Sequence, residues 1–208
     1  NAEEKELANH GILLWGNHNH NFGEMVMGYH EDNKSDFQWA SYLNRTWQQP
    51  HIVGYMESHD EERIMFKALT YGNVGVNYSV KQKYNALKRA GAAAVFLLSV
   101  PGPKMIWQFG ELGYDVSIDE GGRLGKKPPR WEYQNDPDRA QLYKQYADII
   151  QLRKTEPVFS TSDFTLNVGG SVKYIALNYA DNDVRLVGNF DMEIKTVTPG
   201  FSSTGWWY

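Results

Sequence analysis

The strongest limit on the fold is an alternation of short strand-like runs with longer helical patterns. Gly11-Ile12-Leu13-Leu14-Trp15 is a continuous apolar run, the sign of a strand buried on both faces. His51 to Met56 reads as a second strand and Lys104 to Phe109 as a third. After the first strand a loop is expected. A helix then opens at the capping box Ser35-Asp36-Phe37-Gln38 and runs to about Trp47, with Pro50 just beyond. A second box, Ser79-Val80-Lys81-Gln82, opens a helix that places Val80, Tyr84, Leu87, Gly91, Ala94, Val95 and Leu98 on one stripe. Pro101-Gly102-Pro103 ends it. A third helix takes Asp136 as N-cap and Pro137 as its first residue. It continues through Leu142, Tyr146, Ile149 and Leu152 to about Thr155. Glu3 to Asn9 reads as the end of an earlier helix.

Consecutive βα units imply an α/β fold with a parallel sheet covered by helices. Chemistry in such folds gathers at the C-terminal ends of the strands. The loops beginning at Gly16, Glu57 and Gly110 therefore belong on one face. Beyond Glu156-Pro157 the pattern becomes antiparallel β. Phe164 to Val168 is a strand, Gly169-Gly170 a two-residue hairpin turn, and Val172 to Tyr179 a strand with Ile175, Leu177 and Tyr179 on one face. Asp181-Asn182-Asp183 turns the chain into Val184 to Phe190. Two units are expected, residues 1–156 and 157–208. Asn1 lies inside a charged helical pattern and Trp206-Trp207-Tyr208 inside an aromatic strand-like run, so the chain reads as a fragment.

Composition narrows the function. A net charge of −4 gives no support for a nucleic-acid partner. There is no cysteine, hence no disulfide and no thiol nucleophile. No apolar run approaches the roughly 18 residues of a membrane span. Aromatic residues make up 14% of the chain, with seven Trp and thirteen Tyr. Such rings pack cores, and their flat faces also suit the apolar faces of sugars.

The densest polar cluster is Glu57-Ser58-His59-Asp60-Glu61-Glu62-Arg63, placed abruptly at the end of the second strand. There the Asp60 carboxylate can steady a developing cation and the His59 imidazole can bond substrate hydroxyls. Alternatively Asp60 only orients His59, or Glu57, Glu61, Glu62 and Arg63 form a solvated ion-pair cluster capping the next helix. The third strand ends in Trp107-Gln108-Phe109-Gly110-Glu111-Leu112-Gly113, where glycines permit tight turns around Glu111. Gly16-Asn17-His18-Asn19-His20-Asn21 offers a His-x-His pair that, with Asp60, suits a metal-dependent hydrolase. Its asparagines equally suit turn formation. No G-x-S-x-G and no phosphate-binding glycine loop is present.

Three of these stretches together resemble the α-amylase family of glycoside hydrolases. Val53 to Arg63 resembles the end of that family's seventh barrel strand, with its His-Asp pair and following Arg. Ser58 stands where Asn is usual. Ser99 to Glu111 resembles the eighth strand more loosely, with Glu111 directly after Gly110. Asp148-Ile149-Ile150-Gln151-Leu152-Arg153-Lys154-Thr155-Glu156-Pro157-Val158-Phe159 is similar to the last barrel helix entering the C-terminal β-domain. The resemblance covers roughly residues 1 to 200. It implies a partial TIM-type barrel, strands six to eight with their helices, followed by a small antiparallel β-domain.

Carried over, Asp60 is the carboxylate that stabilises the oxocarbenium-like transition state, and His59 bonds the same sugar. Arg63, Glu111, Arg130 and Trp131 are substrate-binding candidates, although Trp131 also suits core packing. Retaining glycosidases need two further carboxylates about 5 Å apart. The family takes them from strands four and five, so the proton donor is expected shortly before Asn1. The chain alone is then inactive. The implied substrate is an α-glucan such as starch, glycogen or a maltooligosaccharide, with hydrolysis, transfer and branching all open. No cofactor is expected. Calcium is common in the family, but its ligands are not identifiable here. An open arc is expected to associate into oligomers. Family resemblance places the full-length protein in the periplasm, at the cell surface or outside the cell. Two other readings remain: a non-catalytic glucan-binding domain, and the metal-dependent hydrolase.

Overall fold

The computed structural model describes residues 2–180, 182–201 and 203–207. Asn1, Asp181 of the expected turn and Tyr208 of the expected aromatic end lie outside the described residues. Helix α1 spans Ala2–Asn9 and strand β1 Leu14–Asn17. Helix α2 (Asn19–Met27) follows immediately, where a loop was expected. Its first turn is Asn-His-Asn, which conceals an apolar face that begins only at Phe22. Gly28 ends it in the left-handed conformation, φ 89°, and returns its N–H to Glu24 and Met25.

Strand β2 (Ile52–Tyr55) pairs parallel with β1, Leu14 against Ile52 through Asn17 against Tyr55. The expected third strand is reduced to a parallel bridge between Gly54 and Lys104. Gly54 donates to Pro103 O and accepts from Met105 N, both at 3.1 Å. Beyond that the segment cannot continue as a strand, because Phe109 takes φ 58° and turns it into a short 3-10 turn, Gly110–Leu112. On the other side of the pair, Ile12, Leu13 and Trp15 are exposed rather than buried, Trp15 at 69%. β1 has no strand on that edge among the described residues.

Helix α3 (Ile64–Tyr71) and the long α4 (Lys83–Ser99) follow β2. Along α4, Leu87, Gly91, Ala94 and Leu98 are buried as their spacing requires, while Tyr84 points to solvent. Gln82, whose side chain accepts from Asn85 and not from a capping N–H, occupies its N-cap in place of the expected Ser79 box. Helix α5 (Pro137–Thr155) has the expected start: the Asp136 carboxylate accepts from the N–H groups of Asp138 and Arg139. It packs on α4.

The helix expected over Ser35 to Trp47 is absent. Only a 3-10 turn, Gln38–Ala40, forms there. Ser35 does not cap, because its hydroxyl meets His30 Nδ1 and Lys173 Nζ, each at 2.8 Å. Asp36 accepts from the Gln38 amide instead.

Strands β3 (Phe164–Asn167), β4 (Val172–Leu177) and β5 (Val184–Asn189) form an antiparallel sheet in that order. The first hairpin is wider than the expected Gly169-Gly170 turn, with Val168 to Ser171 outside the ladder. Ile175 and Leu177 are buried, and Tyr179 lies past the strand and is exposed. No strand forms around the exposed Trp206. One apolar cluster takes side chains from both sides of the boundary expected at residue 156. The rings of Phe22, Phe37, Phe96 and Phe190 follow one another through it at 4.7, 6.1 and 5.7 Å. Arg89 of α4 ties the same regions together, donating to Val26 O, Met25 O and Phe190 O. No helix among the described residues is long and apolar enough to cross a membrane.

Candidate functional site

The loop from Glu57 to Arg63 leaves the C-terminal end of β2 and enters α3. Its side chains divide sharply. Glu57, Ser58 and Arg63 are buried; His59 and Asp60 stand out, with 71% and 70% of their side chains exposed. The solvated ion-pair cluster is therefore not what forms. Arg63 donates to Ser58 O at 2.8 Å, and its guanidinium lies 5.9 Å from the centre of the Trp107 ring and 5.4 Å from that of Tyr114. Glu62 accepts from its neighbour's amide, from Ile118 N at 2.9 Å and from the Ser117 hydroxyl at 2.7 Å. Glu61 accepts from Ser58 and from Asn17 of β1, and the Asp60 amide bonds Ser58 Oγ at 3.1 Å. These contacts hold the loop from beneath.

His59 Nε2 and Asp60 Oδ2 are 3.4 Å apart. The His59 ring lies 5.7 Å from that of Trp107. Both side chains border a pocket of about 260 Å³, shared with Arg63, Trp107, Gln108 and Arg123. Arg123 reaches back from the loop after the third segment and donates to the Asp60 carbonyl. Lys127 borders the pocket too, its ammonium bonded to Glu120 O and Gly122 O. The arrangement sets an imidazole against an indole with a carboxylate beside it, and Arg63, Arg123 and Lys127 add cations to the lining. It can bind hydroxyls, stack on an apolar ring face and stabilise positive charge at Asp60.

The other expected residues fall nearby with different roles. Arg63 serves the floor, not the open rim. Glu111 lies in the 3-10 turn after Gly110, close enough to Glu57 to influence its charge. Trp131 is 69% exposed, which corrects the expectation of core packing; its ring meets the Phe109 edge at 4.9 Å. Arg130 pairs with Glu132 at 3.3 Å, and neither Arg130 nor Trp131 borders the His59–Asp60 pocket. Sequence reasoning did not single out Trp107, Arg123 and Lys127 as site residues. Trp107 carried a signal, an indole at a strand end. The two cations lie in the loop beyond the third segment, outside any motif, and carried none.

The His-x-His pair does not converge. His18 is buried and His20 is exposed, and among the described residues no three His, Asp or Glu side chains gather as a metal-binding group. The His18 ring packs against Phe22, and its Nε2 meets no hydrogen-bond partner among the described residues. Burial, with Arg45 and Lys104 nearby, pulls its pKa down to about 3.

No family model matches the chain, and no curated protein does. Solved structures do match. AmyP in complex with maltose aligns with a TM-score of 0.55 and 16% identity, over 82% of this chain and 38% of that one. CldA, described as a cyclomaltodextrin glucanotransferase with a three-domain ABC distribution, aligns at 0.59 and 17%, over 82% and 31%. The α-amylase GTA of Geobacillus thermoleovorans, complexed with acarbose, aligns at 0.55 and 18%, over 83% and 36%. These are α-amylase-family structures, and this chain has the fold of part of them. It spans between 31% and 38% of their length.

A neutral buried His18 makes stability depend on acid. Below its ordinary pKa of 6.5 the unfolded chain binds a proton that the folded chain refuses down to about 3. Stability is therefore lost as pH falls from 6.5 towards 3, by up to about 1.4 kcal/mol per pH unit from this group. His18→Leu removes that slope. The urea midpoint of the parent is expected to fall relative to that of His18→Leu as pH drops from 6.5 towards 3, and a constant difference between the two would contradict this.

Proposed function

We propose that this chain is part of a retaining, α-glucan-active glycoside hydrolase of the α-amylase type, and that it supplies His59 and Asp60 to the sugar site. One observation carries the reading. The two residues that the resemblance names stand exposed side by side at the end of a parallel strand, over the Trp107 indole, in a fold shared with amylase structures. In this reading Asp60 stabilises the oxocarbenium-like sugar, His59 bonds its hydroxyls and Trp107 faces the apolar side of a ring. Arg63 sets the loop from below. The nucleophile and the proton donor come from parts of the protein outside these 208 residues, so the chain alone binds but does not cleave. β1, β2 and the segment at Lys104 are then strands six, seven and eight of an eight-stranded barrel. The compared structures include an amylase and a glucanotransferase, so the reading commits to the glucan rather than to hydrolysis or transfer. Export from the cytoplasm is proposed on the same resemblance.

Maltooligosaccharide titrated into the chain is expected to move the NMR signals of His59, Asp60 and Trp107, with a Kd on the order of millimolar for a partial site. His59→Ala is expected to weaken binding by about tenfold, or ~1.4 kcal/mol. Signals that stay still in those three residues while the sugar binds elsewhere, or no binding at all, would defeat the proposal. The exposed Ile12, Leu13 and Trp15 beside the open edge of β1 lead to a second expectation. Sedimentation of the isolated chain at micromolar concentration should show dimers or larger species; a strictly monomeric mass contradicts the open-arc reading.

A further inference from the structure

Glu57 is the only buried carboxylate residue among the described residues, and the sugar chemistry proposed above does not use it. Its Oε1 accepts from the N–H of Ile64, the first residue of α3, at 2.7 Å. A carboxylate there meets the positive end of the helix. Its Oε2 lies against Gly110, where a Cβ would stand 2.5 Å away. A larger residue at position 110 would require the carboxylate to shift. Glu57 thus touches both ends of the loop bearing His59 and Asp60, and also the turn that follows Trp107.

We propose that Glu57 is a positioning residue whose carboxylate closes the 57–64 loop and seats it on Gly110, which fixes His59 and Asp60 over Trp107. Its relevance to sugar rests on the function proposed above; its structural part does not. The charge of Glu57 is under tension. Burial pushes its pKa up to about 7; the Ile64 N–H and Arg63 pull it down, while Glu111 and Glu62 push it up. Lys67 of α3 and Tyr146 of α5 also feel its charge. The folded chain therefore holds an extra proton between pH 4.5 and about 7. This contribution to stability is full below 4.5 and is lost as pH rises through 7. The bond to the Ile64 amide changes the other way, being strongest to the ionised carboxylate above 7.

The test follows the amide signals of Ile64 and Asp60 by NMR from about pH 5.5 to about 8.5. A His59→Asn background removes the titration of the imidazole. Both amides are expected to shift with one common midpoint near 7, and Glu57→Gln, which keeps the size and an acceptor, is expected to abolish it. Gly110→Ala is expected to displace the Ile64 signal at every pH. In the His59-containing chain it should weaken maltooligosaccharide binding by about tenfold. The inference is overturned if the two amides share no midpoint, if the midpoint survives Glu57→Gln, or if Gly110→Ala leaves Ile64 unmoved. If the amides behave as expected and no sugar binds to the parent chain, the glucan reading fails while the positioning role stands.

Discussion

The guanidinium of Arg63, withdrawn from water beneath the candidate site, is the interaction on which the rest depends. Removing an isolated cation from water costs several kcal/mol, so it must be well surrounded. Here it bonds the Ser58 carbonyl and lies over the rings of Trp107 and Tyr114. Desolvated contacts of this kind are worth about 2 kcal/mol or more each. Because Arg63 is drawn inward onto Ser58, the four residues between them arch outward, and His59 and Asp60 are the most exposed of the four. Trp107 comes from the third segment and Tyr114 from just beyond its 3-10 turn. That segment makes one bridge to β2, yet it stays in place because the cation binds it from the side.

Other buried or half-buried cations also bind mainly to carbonyls. Arg89 takes the last-turn carbonyls of α2, at Met25 and Val26, and reaches across to Phe190 at the end of β5. Arg153 takes Leu98 and Val100 at the end of α4. Lys173 of β4 takes Ser35 and Val168. Carbonyls at a helix C-terminus lack partners and carry partial negative charge, so a cation there satisfies both needs. The small sheet is joined to the α/β layers through these bonds as well as through the phenylalanine rings.

Much of this was legible in the sequence where local forces decide. The periodicity of α4 and the Asp136-Pro137 start of α5 depend on near neighbours, and both stand as expected. Ser35 illustrates the opposite case. Its capping box was sound locally, but Lys173, distant in sequence, claims the hydroxyl. Helix α2 escaped because a polar first turn hides its apolar face. At the site, the resemblance singles out His59 and Asp60, and the structure leaves both side chains in the open at the end of β2; the burial of Glu57 and Arg63 was not legible. A run of ionisable residues does not reveal which side chains the third segment will cover.

The proposed part of Asp60 in glucan chemistry is open to one direct measurement. The protein containing this chain is incubated with a maltooligosaccharide, and the first-formed products are followed by NMR for anomeric configuration and rate. The account predicts products that retain the α configuration, with Asp60→Asn lowering kcat by about 10²-fold or more while the fold persists. Inverted products, or an Asp60→Asn protein as active as the parent, would contradict it.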